Sequence, residues 1–213
     1  LRHVALASGC SRPPIVPHLA TLLAMNDELG IDGRLTAGLP DEAFVTDGLL
    51  TKRVLRAFAL AMLAPRAGEL LWDLGAGTGS IAVEWCRLHP ANRAVAVERN
   101  AERAARILIN AENLGAAGRI DVRTAAVADV LAELPAPDAV FVGGGVRAEI
   151  LDEGWDALPS GGRLVVHSVT ADSDAVLLAL HQRVGGELSR ISVEVAEPIG
   201  RFVGFKPARA VTA

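Results

Sequence analysis

The chain has 213 residues, 51% of them hydrophobic, enough for one domain with a buried core and an additional arm. Its formal net charge of −4, with 4% aromatic residues and no tyrosine, argues against nonspecific nucleic-acid binding, and no apolar run approaches the ~20 residues that cross a bilayer. Its two cysteines, Cys10 and Cys86, lie far apart without metal-ligand spacing, which predicts a reducing, cytoplasmic setting and no metal site.

Residues 1–36 show no clear periodicity, and "SRPPIVP" (11–17) reads as extended chain or loop, so an arm or linker is expected there. "LASGC", ending at Cys10, lacks the apolar segment that an export signal needs. A start at Leu1 rather than Met suggests either a piece of a longer polypeptide or non-native sequence ahead of Met25. The domain proper is expected over 37–207, with a tail from 208 to 213. "GLPDEAF" (38–44) is turn-like. "LLTKRVLRAFALAML" (49–63) predicts an amphipathic helix with Leu50, Val54, Phe58 and Ala61 on its apolar face and Lys52, Arg53 and Arg56 on or near its polar one, ended before Pro65.

Strand and helix signals then alternate. Strands are expected at 69–74, 93–98, 119–125, 138–143 and 163–169, and helices at 79–89, 101–114, 126–133, 147–157 and 173–184. The strands are nearly continuous Val, Leu and Ala, as a parallel sheet covered on both faces requires. Residues 187–199 and 201–207, separated by Gly200, predict a hairpin closing the sheet edge. This plan resembles the class I S-adenosylmethionine-dependent methyltransferase fold over residues 49–207. The resemblance implies a Rossmann-like α/β domain with a mostly parallel seven-stranded sheet and a C-terminal antiparallel hairpin. The dinucleotide dehydrogenases instead continue parallel to a sixth strand.

"LLWDLGAGTGSIAVEW" (70–85) carries the chemistry. Gly75, Gly77 and Gly79 follow an apolar strand in G-x-G-x-G spacing, distinct from the dehydrogenase G-x-G-x-x-G. With Ala76 and Thr78 they form a loop whose free N–H groups favour an anion such as the carboxylate of adenosylmethionine. Asp73 matches the family acid that orients the methionyl end. Glu98, at the end of the second strand, stands where an acid accepts ribose hydroxyls, and Arg99 would flank the adenosine. After the third strand, where many relatives carry Asp or Asn for the adenine amine, this chain has Ala126. Backbone of Ala125 to Val127 is expected to bracket the ring instead, and Asp129 falls inside the next helix. Thr51 and Gly143 complete the expected cofactor contacts.

"VFVGGGV" (140–146) replaces the Asn/Asp-Pro-Pro-aromatic motif of many nitrogen methyltransferases. Gly143, Gly144 and Gly145 leave room for a broad acceptor but offer no stacking platform. Together, "GLPDEAF", "LLTKRVLRA", "AVERN", "LPAPDAVFVGGG" and "SGGRLVVHSVT" resemble the decarboxylating precorrin methyltransferases of cobalamin biosynthesis, from Gly38 to Pro207. These occur as the C-terminal half of a bifunctional enzyme and as free-standing chains. The resemblance implies methylation of C15 of a precorrin tetrapyrrole with loss of the C12 acetate carboxyl. It also implies a preceding C5-methyltransferase domain and a homotetramer. A polycarboxylate acceptor calls for cationic clamps, with Lys52, Arg53 and Arg56 as first candidates and Arg147 and Arg201 as weaker ones. His167, near the end of the fifth strand, is the candidate for proton transfer. Trp72, Trp85 and Trp155 are read as packing residues. The alternatives are an RNA or other small-molecule methyltransferase, or a non-catalytic adenosylmethionine-binding module.

Overall fold

The computed structural model describes residues 36–212. Cys10 and the arm expected before Thr36 lie outside the described residues. Five parallel strands, β1 (Leu70–Leu74), β2 (Arg93–Val97), β3 (Ile120–Arg123), β4 (Ala139–Val142) and β5 (Arg163–Val166), form one sheet in the order β3-β2-β1-β4-β5. The helices are α1 (Arg53–Leu63), α2 (Ser80–Leu88), α3 (Ala101–Asn113), α4 (Val127–Val130), α5 (Ala148–Asp156) and α6 (Ala171–Val184). The strand order reverses between β1 and β4, so the ends of these two strands open a crevice at the carboxyl edge of the sheet.

Alternation along the strands divides the core between two faces. On one face Trp72, Leu74, Val95, Val97, Val140 and Val142 pack with Ile150 and Leu151 of α5 and with Leu177 and Leu180 of α6. On the other, α2 packs on β1 and β2, while α1 packs on α2 and reaches β4 and β5. The buried indoles are paired, as buried donors must be: Trp72 Nε1 donates to the Pro135 carbonyl at 2.9 Å and Trp85 Nε1 to the Arg93 carbonyl at 3.0 Å. Trp155 instead stays 43% exposed.

Three expectations change. The main sheet has five strands, not seven: β6 (Arg190–Ile199) and β7 (Phe202–Thr212) pair only with each other, as a separate antiparallel ribbon. Two consecutive glycines after α6, Gly185 at φ +77° and Gly186 at φ +95°, redirect the chain before β6 begins. β6 is also largely exposed along its length, unlike β4, which is buried throughout. The hairpin therefore does not close the β5 edge. The tail expected from 208 is part of β7, which runs to Thr212.

The third change concerns α1. Its buried face is Leu55, Ala59, Leu60 and Leu63 together with Arg56, while Val54 is 55% exposed. The helix starts at Arg53, leaving residues 49–52 as an extended strap leading into it.

Candidate functional site

β1 ends at Leu74, and the chain turns at Gly75, whose φ is +73°. The N–H groups of Gly75 and Ala76 both donate to the Val97 carbonyl, at 2.9 and 3.0 Å, which ties the glycine loop to the end of β2. A Cβ on Gly75 would lie 2.8 Å from the Gly144 carbonyl oxygen, so the loops after β1 and β4 run backbone against backbone. At the far end of the first loop Gly79 caps α2, and its missing Cβ is filled by Ile107 of α3, whose Cγ2 stands 2.6 Å from that position.

Glu98, next after β2, closes the loop from the side. It is 6% exposed; Oε2 accepts from Gly77 N and Oε1 from Asn100 N, each at 2.9 Å. Ala126 is the N-cap of α4, and residues 125–128 form the wall beyond Glu98. Opposite them, Leu49 to Lys52 of the strap and Leu55 of α1 close the other side. The result is a single cleft of about 540 Å³ at the carboxyl ends of the strands, within the range of small-molecule sites.

Most of the expected site residues meet in this cleft: Thr51, Gly75 to Thr78, Glu98, Arg99, Ala125, Ala126, Gly143 to Gly145, Lys52, Arg147 and His167 all line it. The exceptions are informative. Asp73 and Gly79 do not line it. Asp73 is buried behind the loop, where Oδ2 accepts from Ala82 N at 3.1 Å and Oδ1 has no partner. Burial, reinforced by the charge of Glu98, pushes its carboxyl up to about 7, against the opposing Ala82 hydrogen bond. Asp73 thus holds the start of α2.

Arg56 is a correction. The expected surface clamp is fully buried, with Nε 2.5 Å from Glu84 Oε1, Nη1 on Asp41 Oδ1 at 3.1 Å and on the Thr51 carbonyl, and Nη2 on the Leu39 carbonyl. Its guanidinium also stacks 4.6 Å from the Phe44 ring centroid. It is the post that holds residues 39–51 in place, and with four hydrogen bonds inside the protein and no exposed surface it is out of a substrate's reach. Arg53 is exposed away from the cleft wall, and Arg201 sits at the hairpin turn over the Phe202 ring at 5.0 Å, outside the cleft. Lys52 and Arg147 remain as exposed cations at the cleft. Lys52 also reaches Asp41 at 3.7 Å, an exposed pairing that leaves it free to rearrange.

Several cleft residues went unread in the sequence. Phe141, Leu50 and Leu55 give the interior an apolar wall, and Arg103 reaches it from α3 while pairing with Asp47 at 2.8 Å. That pairing holds the Asp47 carboxyl below its usual range. No local motif announces these residues; they converge from β4, α3, α1 and the strap, which are distant in sequence. Phe141 packs edge-on against His167, with ring centroids 5.1 Å apart.

Three comparisons bear on this arrangement. The family model described as "Precorrin methyltransferase domain" matches residues 42–213. The chain is 50% identical over 179 residues to the precorrin-6Y C(5,15)-methyltransferase [decarboxylating] of Sinorhizobium sp, covering 84% of this chain and 43% of that protein. It spans under half the length of that relative. A probable cobalt-precorrin-6B C(15)-methyltransferase (decarboxylating) of Saccharolobus solfataricus is 28% identical over 168 residues, 76% of this chain and 82% of that one. Among solved structures, the C-terminal domain of precorrin-6Y C5,15-methyltransferase from Rhodobacter capsulatus superposes with a TM-score of 0.79 at 42% identity, covering 84% of this chain and 96% of that one. With the glycine loop, the acid after β2 and the triple glycine after β4 in one cleft, the chain belongs to the precorrin methyltransferase domain family.

Proposed function

We propose that this domain is an S-adenosylmethionine-dependent C-methyltransferase. Its acceptor would be a precorrin tetrapyrrole, methylated at C15 with decarboxylation of the C12 acetate, in cobalamin biosynthesis. The observation that carries the reading is the cleft itself: a nucleoside-type half on β1, β2 and β3, joined to an open, glycine-lined half on β4 and β5. Higher identity to the precorrin-6Y enzyme than to the cobalt-precorrin-6B enzyme favours a metal-free acceptor.

The cofactor fits the residues present. Each Glu98 oxygen has a lone pair beyond the loop N–H it already accepts, available to ribose hydroxyls. The glycine loop brings side-chain-free backbone to the methionyl end; contrary to the free N–H groups expected of it, those of Gly75, Ala76, Gly77 and Gly79 are already engaged within the protein. The backbone of residues 125–128 brackets a ring without a side-chain amide. When bound, adenosylmethionine supplies an electrophilic methyl group. The enamine-like meso carbon of a reduced tetrapyrrole is already nucleophilic, so the protein's task is alignment and exclusion of water. Leu50, Leu55 and Phe141 exclude water, while Lys52 and Arg147 hold peripheral carboxylates. Mass spectra of metal-free precorrins incubated with the domain and adenosylmethionine test this. A product one methyl heavier and one carbon dioxide lighter is expected; unchanged precorrins beside demonstrated cofactor binding would reject it.

The working form would be a cytoplasmic homo-oligomer, a tetramer by family resemblance, following a C5-methyltransferase domain in a longer chain. No helix among the described residues is long and apolar enough to cross a membrane. The support for assembly is the hairpin. One face presents Val203 and Phe205, the other Ile199 and Phe202, and each of these is at least half exposed. A two-stranded ribbon is marginal alone in water, and apolar side chains on both faces call for a partner. Val203→Glu with Phe205→Glu is expected to convert the oligomer to a folded monomer in sedimentation velocity. A monomeric parent chain would refute the assembly.

A further inference from the structure

The cleft divides by the strands beneath it. Its β1–β2–β3 half carries the loop, Glu98 and residues 125–128, while the β4–β5 half faces whatever accepts the methyl group. On that acceptor half the wall offers little chemistry. Phe141, Ile150 and Val169 are apolar, residues 143–145 are glycine, and Arg147 has only donors. His167 is the exception. It follows β5 directly, with its backbone N–H on the Val142 carbonyl at 3.0 Å, and its ring borders the cleft beside Phe141.

The imidazole is 6% exposed, and its Nε2 has no hydrogen-bond partner. Leaving a buried ring nitrogen unpaired is costly, so a ring kept in that state in a residue of the cleft wall points to a ligand that completes it once the ring turns toward it. A half-turn of the ring exchanges Nε2 with Cε1, so a ligand group against either ring edge can recruit a nitrogen. Burial lowers its pKa to about 4, so the ring is neutral at pH 7, with one N–H and one lone pair. A group so reluctant to hold a second proton is a poor proton carrier but a good hydrogen-bonding one.

We infer that His167 is the hydrogen-bonding residue of the acceptor half, fixing a carboxylate or ring nitrogen of the acceptor by hydrogen bonding and not by proton transfer. The inference rests on the proposed methyltransferase reading only for the identity of that acceptor. It also replaces the proton-transfer role expected for His167.

The test compares His167→Leu, which fills the same space without a polar atom, with His167→Asn, which keeps a donor and an acceptor but cannot act as an acid or base. Thermal midpoint, affinity for S-adenosylhomocysteine and kinetics with metal-free precorrins are read on both. His167→Leu is expected to hold or raise the midpoint and to leave S-adenosylhomocysteine affinity unchanged. It should also lower acceptor kcat/KM about tenfold, the loss of one good hydrogen bond. His167→Asn should recover most of that loss. Full turnover in His167→Leu would overturn the inference, as would equal damage in the two variants, which would restore a proton-transfer role. Should the parent chain itself leave precorrins unchanged, the acceptor reading fails separately. The His167 inference is then decided with uroporphyrin, an octacarboxylate tetrapyrrole, as the binding probe: weaker binding to His167→Leu but not to His167→Asn supports it, and equal binding refutes it.

Discussion

Glu84→Ala is expected to destabilise the domain by about 3–5 kcal/mol, the range for removing one partner of a buried ion pair. Glu84 and Arg56 are both buried, and the carboxylate does more than balance the charge. It accepts from the backbone N–H groups of Gly38, at 2.5 Å, and Leu39, at 3.0 Å, as well as from Arg56 Nε. Alanine would take the buried counter-ion from Arg56, leaving it the partly exposed Asp41, and would strand two amides in the core beside Phe44 and Leu39. The urea midpoint should fall with little change in slope, and the double variant Glu84→Leu with Arg56→Met should recover only the charge part of the loss, because the Gly38 and Leu39 amides stay unpaired in it. A Glu84→Ala effect below about 1 kcal/mol would mean that water reaches the pair and that it stands as a surface bridge does. The functional consequence follows from the Thr51 carbonyl, which Arg56 also holds. Loosening that post frees the strap at 49–52, so cofactor affinity should fall along with stability.

This network also marks where the sequence stopped being legible. The alternating elements were readable because burial imposes period: β1 and β4 are apolar at consecutive positions, and the glycine loop announces a backbone that must turn within van der Waals distance of another loop. Arg56 was not readable. A cation in an amphipathic helix reads as solvated unless its partners are known, and here they come from 15 and 28 residues away, in Asp41 and Glu84. Period along α1 could have found it, since Arg56 lies between Leu55 and Ala59 on the face that is in fact buried. The hairpin itself was legible, but its place beside the sheet was not, for the opposite reason. Its residues have strand propensity and alternation, which predict a strand but not its neighbour. The chain reaches β6 through two glycines at positive φ, Gly185 and Gly186, and pairing between β6 and β5 is a matter of such dihedral angles and not of pattern. Spacing singled out Asp73, but spacing along a strand fixes which face a side chain takes, not whether the loop ahead covers it, and Asp73 is buried outside the cleft.

Gly75→Ala should have the larger effect on function. The residue sits at φ +73°, where a Cβ costs roughly 1–2 kcal/mol, and that Cβ would stand 2.8 Å from the Gly144 carbonyl oxygen. Either the β1 loop or the β4 loop must move. The first carries the backbone proposed for the cofactor, the second the opening proposed for the acceptor, so no relaxation spares both. A displacement approaching 1 Å in such a site costs about 100-fold in rate, and a loss of that order in kcat/KM is expected, accompanied by weaker S-adenosylhomocysteine binding. Gly118→Ala is the control. Its φ is +67°, yet nothing lies within 4 Å of its missing Cβ and it is outside the cleft, so it should show the dihedral cost in stability with cofactor affinity unchanged. If Gly75→Ala behaves like Gly118→Ala, the close approach of the two loops is not what shapes the cleft. If it loses binding while Gly118→Ala does not, the fit of one backbone against another, and not the flexibility of a glycine, is what the motif preserves.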